Sequence, residues 1–387
     1  ANSVAMKDGE IYIYAEGRNA VRGNAAAGKG LKAGGSVVNV DGVLEALGGK
    51  ISVLGDTVSL LGAANLNASG TGAGGVIRVG GDYYGGGDTP TALNLFVDKN
   101  AFIRADAGQN GRGGRITFWS DWMTRFLGSV SARGGNAGGD GGFVEVSGKQ
   151  YLTFRGAVDT RAPLGVDGLL LLDPADIVIA DGTGDGAADG TNTFKGAPSN
   201  TVGTVQGADP GPTTIYQSEL QGIAATTNIA LTATNSITIN DLTSNNLNLA
   251  QNGGRSVTFT AGAGGFSMNT GDTITLAGGT LNITTSAGGG ATIGNINTNG
   301  GLTTLNVAGA SSVAGIISGT GGLTKTGTGT LTLSGANTYS GTTTLTAGTI
   351  EVAHNTALGT GTLSLNGGTL QGNGTSRTLA NNITFAA

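Results

Sequence analysis

GRITFWSDWMTRFLGSVSARG at Gly114–Gly134 and GFVEVSGKQYLTFRGAVDTRA at Gly142–Ala162 superimpose without a gap at a shift of 28 residues. The shift sets Ile116 on Val144, Phe118 on Val146, Phe126 on Phe154, Gly128 on Gly156 and Val130 on Val158. A third copy, GKISVLGDTVSLLGAANLNASG at Gly49–Gly70, follows with one residue of slack. Each copy holds three short alternating apolar bursts separated by Gly or Ser-Asp corners. Alternation with period two buries one face of a strand, so three strands per copy make one turn of a triangular coil. Hairpins would call for paired left-handed residues such as Asn-Gly between complementary strands. Here one pattern returns in one chain direction, which predicts coil stacked in parallel on coil, each stabilised by its neighbours. The expected fold is an all-β parallel β-helix with loop insertions.

The composition agrees. Among 387 residues there are 75 Gly but 6 Pro, and charged residues reach only 12%, so the chain lacks the charge excess of a disordered one. Cysteine is absent, which excludes a disulfide-stapled fold. The formal net charge of −5 gives no basic field for nucleic acid. No apolar run approaches the length of a membrane helix. Residues 1–20 show no basic stretch followed by an apolar one, so the expectation is a segment that begins beyond any leader.

Three regions are expected: 1–172, a β-helix with insertions; 173–227, an irregular Asp/Gly/Pro-rich insertion; and 228–387, a regular Thr/Gly/Asn-rich β-helix. The insertion ends in Ser218-Glu219-Leu220-Gln221, a capping-box pattern that predicts one short helix. From Asn228 onward Thr, Ser and Asn fill the outward slots while Leu, Ile and Val alternate inward.

Four motifs in order, GGDYYGGG from Gly80, GGRITFW from Gly113, GGFVEVSG from Gly141 and LLLLDPADIVIADG from Leu169, resemble the filamentous-haemagglutinin and high-molecular-weight adhesins. The likeness covers about residues 34–240; members of that group often carry Trp before the Leu-Asp-Pro element, where this chain has Leu169–Leu172. Gly321–Val352, GGLTKTGTGTLTLSGANTYSGTTTLTAGTIEV, is similar to the autotransporter-associated β-strand repeat. These resemblances imply a right-handed β-helix, exported through an outer-membrane two-partner transporter and displayed outside the cell or on its outer surface.

Candidate chemistry is sparse. Trp119 and Trp122 align with Ser147 and Gln150, slots that accept polar residues, so both rings are expected to face outward beside Arg125 as a glycan platform. Tyr83 and Tyr84 in the Gly-rich loop are a second aromatic pair for an extracellular polysaccharide or a host or bacterial surface glycan. Asp181, Asp185 and Asp189 stand four residues apart, which leaves Ca²⁺ open, although Asp-Gly is also ordinary turn chemistry; no other cofactor is expected. A carbohydrate-active β-helix enzyme would stack acids in register, whereas here Glu145 falls on Thr117 and Asp159 on Ser131. His354 stands alone. The sequence therefore reads as a non-enzymatic adhesin shaft, with a lyase or hydrolase and a plain spacer as the alternatives.

Overall fold

The computed structural model describes residues 3–7, 10–14, 36–181 and 213–385. Its strands form a parallel β-helix that divides into two compact units. One comprises the described residues up to 174 together with 213–215, the other 175–181 together with 216–385. Most of the insertion expected over 173–227 lies outside the described residues.

Among the described residues of the first unit five turns each give a strand to three sheets, and Leu169–Leu172 adds a sixth strand to the first sheet. The first sheet runs through Glu10–Tyr14, Lys50–Leu54, Val76–Val79, Arg115–Phe126, Phe143–Gly148 and Leu169–Leu172, each parallel to the next. The second takes Val37–Val40, Thr57–Leu60, Ala92–Val97, the far half of Arg115–Phe126, and Tyr151–Phe154. The third takes Val43–Glu45, Asn65–Asn67, Phe102–Arg104, Ser129–Ser131 and Ala157–Asp159. Arg115 sits on Phe143, Phe126 on Phe154 and Val130 on Val158, which is the register read from the sequence.

Like stacks on like inside. Ile51, Ile77, Ile116, Val144 and Leu170 form one fully buried aliphatic ladder. The Phe126 and Phe154 rings stack 5.8 Å apart and 6° from parallel. Each such side chain contributes about 1.5–3 kcal/mol by leaving water. Among the described residues one strand pairing departs from the uniform direction expected: Ser3–Lys7 runs antiparallel to Glu10–Tyr14. This hairpin pairs one edge of the first sheet, where unpaired backbone groups would otherwise face solvent.

The second unit narrows along its length. Ile229 pairs Val257, 28 residues on; the step falls to 24 at Val257↔Leu281 and 22 at Leu281↔Thr303. It then holds at 20 through Leu323, Thr343, Leu363 and Ile383. The third side of the triangle supplies the difference. Its strands shorten from Asn246–Asn252 to Thr273–Ala277, Asn295–Asn297 and Ile317–Ser318. In the next turn a single buried ring, Tyr339, stands at that corner, its hydroxyl 2.5 Å from Thr343 Oγ1. Asn337 ties this corner to both neighbours: its Oδ1 accepts from the Ile317 N–H at 2.7 Å and its Nδ2 donates to the Ala357 carbonyl at 2.6 Å.

The expected helix forms at Gln217–Gln221, but Tyr216 holds the cap position rather than Ser218. Glu219 Oε2 accepts from the Tyr216 N–H at 2.7 Å, which is the return half of a capping box.

Lys325 occupies an inward slot between Leu305 and Leu345. Its ammonium is fully buried and donates to the carbonyls of Thr326 and Gly327 in its own turn and Ala347 in the next. Burial lowers its pKa to about 8. Gly335 lets two turns touch, since a Cβ there would lie 1.9 Å from the Gly315 carbonyl oxygen. Gly335→Ala is therefore expected to lower the unfolding free energy by about 1–3 kcal/mol. Gly253→Ala, where a Cβ meets nothing within 4 Å, should stay within about 0.5 kcal/mol of wild type. Chemical denaturation of the full chain measures both.

Candidate functional site

The Gly80–Thr91 insertion leaves the first unit between Val76–Val79 and Ala92–Val97, and its placement explains the four ordered motifs. Trp119 does point away from the coil interior, as its alignment with Ser147 predicts. The loop covers it. Added Cβ atoms at Gly81 and Gly85 would lie 2.9 and 2.5 Å from the indole, so only glycine permits this approach. The indole Nε1 donates to Asp121 Oδ1 at 3.2 Å, and Asp121 Oδ2 accepts from Thr91 Oγ1 at 2.6 Å. Trp119 is thus 5% exposed and serves as the seat of the loop.

The loop tip carries Tyr83 and Tyr84, 39% and 44% exposed, with ring centroids 4.2 Å apart. Tyr84 adopts φ 54°, ψ 24°, a conformation that strains a bulky side chain. Its N–H donates to both Glu145 oxygens, at 3.2 and 3.4 Å. Tyr83 packs edge-on against Phe143 at 5.4 Å, and the Arg115 guanidinium lies 4.5 Å from the Tyr83 ring centre, within cation–π range. Asp82 holds Arg78 at 2.8 Å, and Arg78 reaches Glu10 at 3.2 Å.

Below the loop sits a carboxylate pair that register alignment misses. Glu145 stacks on Leu171, while Asp173, two residues on, influences it diagonally. Glu145 is fully buried and Asp173 is 7% exposed. Burial, with Asp173 adding repulsion, pushes the Glu145 pKa up to about 7, against hydrogen bonds from Ser147 and the Tyr84 backbone. Burial raises Asp173 to about 6. Among the described residues Asp173 Oδ1 has no hydrogen-bond partner. The Tyr84 hydroxyl is pushed well above its usual range, first by burial, then by Tyr83 and the two acids.

Other expected site residues are scattered. Arg125 was expected beside exposed tryptophans but is 4% exposed, between the Phe96 and Thr153 slots. Trp122 is half-buried, edge-on to Tyr151 at 5.2 Å and packed with Phe96 and Met123. Trp119, Trp122 and Arg125 therefore form no open platform. Asp181 accepts from Thr243 Oγ1 at 2.6 Å; Asp185 and Asp189 lie outside the described residues. Asp241 and Asp181 both raise the pKa of buried Asp272 after the larger effect of burial. Among the described residues no three acids, histidines or cysteines gather closely enough to hold a metal ion. His354 Nδ1 accepts from the Thr356 N–H at 3.2 Å, as a turn residue. No helix among the described residues is long and apolar enough to cross a membrane.

In the second unit Leu323, Lys325 and Tyr339 are buried, as are Leu331 and Leu333, which stack on Ile350 and Val352 of the next turn. Residues 323–352 match the passenger-associated-transport-repeat family. The chain thus carries an autotransporter-type passenger repeat, a feature of secreted or surface-exposed passengers, and the leucines and the tyrosine of that segment are buried stacking residues. No curated protein matches the chain.

A raised carboxyl pKa means that the folded state holds protons that the unfolded chain releases. For Glu145 this window runs from about 4.5 to about 7, so stability falls as pH rises through it. Glu145→Gln keeps an acceptor for Tyr84 and removes the titration. It is expected to flatten the decline of Tm between pH 4.5 and 7 and to raise Tm at pH 8 above wild type. Superimposable wild-type and variant profiles would contradict the assignment.

Proposed function

We propose that the chain is a segment of an exported bacterial adhesin that presents a glycan-binding surface on its first unit and uses its second as a structural stack. The passenger repeat at 323–352 is the observation that carries this reading. The filamentous-haemagglutinin resemblance extends it: export through an outer-membrane two-partner transporter, and a role at the outer surface in attachment or biofilm-matrix binding. Complete absence of cysteine suits passage through a pore in an unfolded state.

The binding surface is the loop tip. Tyr83, Tyr84, Phe143 and Arg115 combine ring faces with a guanidinium, the mixture that meets the apolar face and the hydroxyl rim of a sugar. Trp119, Asp121 and Glu145 hold that tip in place from beneath, so the tyrosines are presented with little conformational freedom left to lose. Weak contacts repeated over many copies would give avidity without a deep pocket.

The enzyme alternative has less support. Glu145 and Asp173 are the coupled carboxylates that a glycosidase would need, but both lie buried under the loop, out of reach of a polysaccharide. A spacer without ligand is distinguished by experiment. Tyr83→Ala combined with Tyr84→Ala should reduce binding of the full chain to bacterial exopolysaccharide and to cells by at least about tenfold. That loss corresponds to about 1.4 kcal/mol, and the strand circular dichroism should be unchanged. Undiminished binding would remove the loop tip from the site; blank glycan and cell screens with wild type would favour the spacer.

A further inference from the structure

On the third side of the first unit, successive turns leave that sheet through Asp106, Arg133 and Arg161. Asp106 and Arg133 lie in neighbouring turns, and the turn after Arg133 places Asp159 and Arg161. Asp106 accepts four bonds: from the Arg133 N–H at 2.8 Å, Arg133 Nη2 at 2.9 Å, Arg133 Nε at 3.3 Å and Ser131 Oγ at 3.0 Å. Arg161 is gripped within its own turn, with Nη2 2.6 Å and Nε 2.9 Å from the Asp159 carboxylate. These carboxylates raise the pKa of both arginines. The two guanidiniums are therefore fixed in place yet about half exposed, at 48% and 53%. They open into a cavity of about 330 Å³ that Asn136 and Pro163 also line, at the lower end of the size range of small-ligand sites.

The charge balance decides the ligand. Asp106 and Asp159 act on both arginines and Asp167 on Arg161, so three carboxylates offset two guanidiniums and the local field does not attract an anion. What the cavity offers is a rigid planar arrangement of N–H donors, the Asn136 amide as donor and acceptor, and the flat face of a proline. Vicinal hydroxyls of an uncharged sugar match that set, because each can accept from a guanidinium edge and donate to an amide or carboxylate oxygen. Pinning the arginines through their carboxylates has already met the ordering cost that flexible side chains incur on binding.

We propose that this corner cavity is a second carbohydrate subsite, specific for an uncharged sugar residue of an extracellular polysaccharide. It rests on the adhesin reading but does not use the loop tip. The test is a glycan array carrying neutral β-glucan, mannan and galactan oligosaccharides beside alginate and heparin, probed with the full chain at 50 mM and 500 mM NaCl. Neutral oligosaccharides should bind with little change between the two salt concentrations. Arg161→Gln, the more exposed of the pair, should weaken that binding about tenfold, and Asn136→Ala should weaken it in the same direction, with Tm within a few degrees of wild type. Arg133→Lys, which keeps the charge but loses the planar fork, should also weaken binding and so separates geometry from charge. Preference for alginate or heparin with steep loss in salt would overturn the proposal in favour of an anion site. Neutral binding that survives all three substitutions but is lost with the tyrosine pair would overturn it while leaving the adhesin reading intact. No glycan binding by wild type would overturn both.

Discussion

Everything in this molecule depends on one turn lying in register on the next. A single coil has three short strands and an inner face that it cannot bury alone. Stacking in parallel pairs its backbone groups with those of its neighbours and sets residue on like residue, as in the ladder from Ile51 to Leu170. The demand on composition follows. Corners must allow backbones to approach within van der Waals distance, which is why glycine is so abundant and why the carbonyl of Gly315 lies where a side chain at Gly335 would have to go. Inward slots must be filled by similar volumes from turn to turn. Where the third side of the second unit shrinks away, one tyrosine ring replaces it.

The same constraint explains why a lysine tolerates an aliphatic ladder. Lys325 alternates with Leu323, and the period places both inside. Its ammonium is accommodated because stacked turns also deliver carbonyl oxygens to one point, two from its own corner and one from the next. A buried charge is costly unless hydrogen-bonded, so this position binds two turns together while making their stability sensitive to any change that removes the donor.

Much of this was legible in the sequence. The 28-residue shift is the observed register, the inward parity is correct at Ile116, Phe118, Phe126 and Val130, and the short helix forms over the capping pattern, with its cap two residues earlier at Tyr216 instead of Ser218. The site was harder to read. Trp119 has the predicted direction but not the predicted exposure, because a loop some 35 residues earlier in the chain folds over it, and alignment of coils carries no information about insertions. Arg125 was expected beside outward-facing tryptophans, yet its slot neighbours Phe96, itself buried. The pairing of Glu145 with Asp173 escaped notice because column alignment compares residues directly stacked, while charge acts diagonally as well. GGDYYGGG, the Trp of the second motif, the Glu of the third and the Asp of Leu-Asp-Pro all meet at the loop. Their order along the chain was visible; their convergence was not.

Absence of native cysteine makes the stacking itself directly measurable. Thr332 pairs Glu351 in the adjacent turn, and Glu351 pairs Gln371 in the turn after that. Parallel neighbours are about 4.8 Å apart, inside the range of about 4.4–6.8 Å that a disulfide spans between Cα atoms. The double substitution Thr332→Cys with Glu351→Cys should oxidise rapidly and intramolecularly in the folded chain, whereas Thr332→Cys with Gln371→Cys, two turns apart, should remain as free thiols. Equal oxidation of both pairs, or of neither, would contradict the coil-on-coil register on which the structure rests.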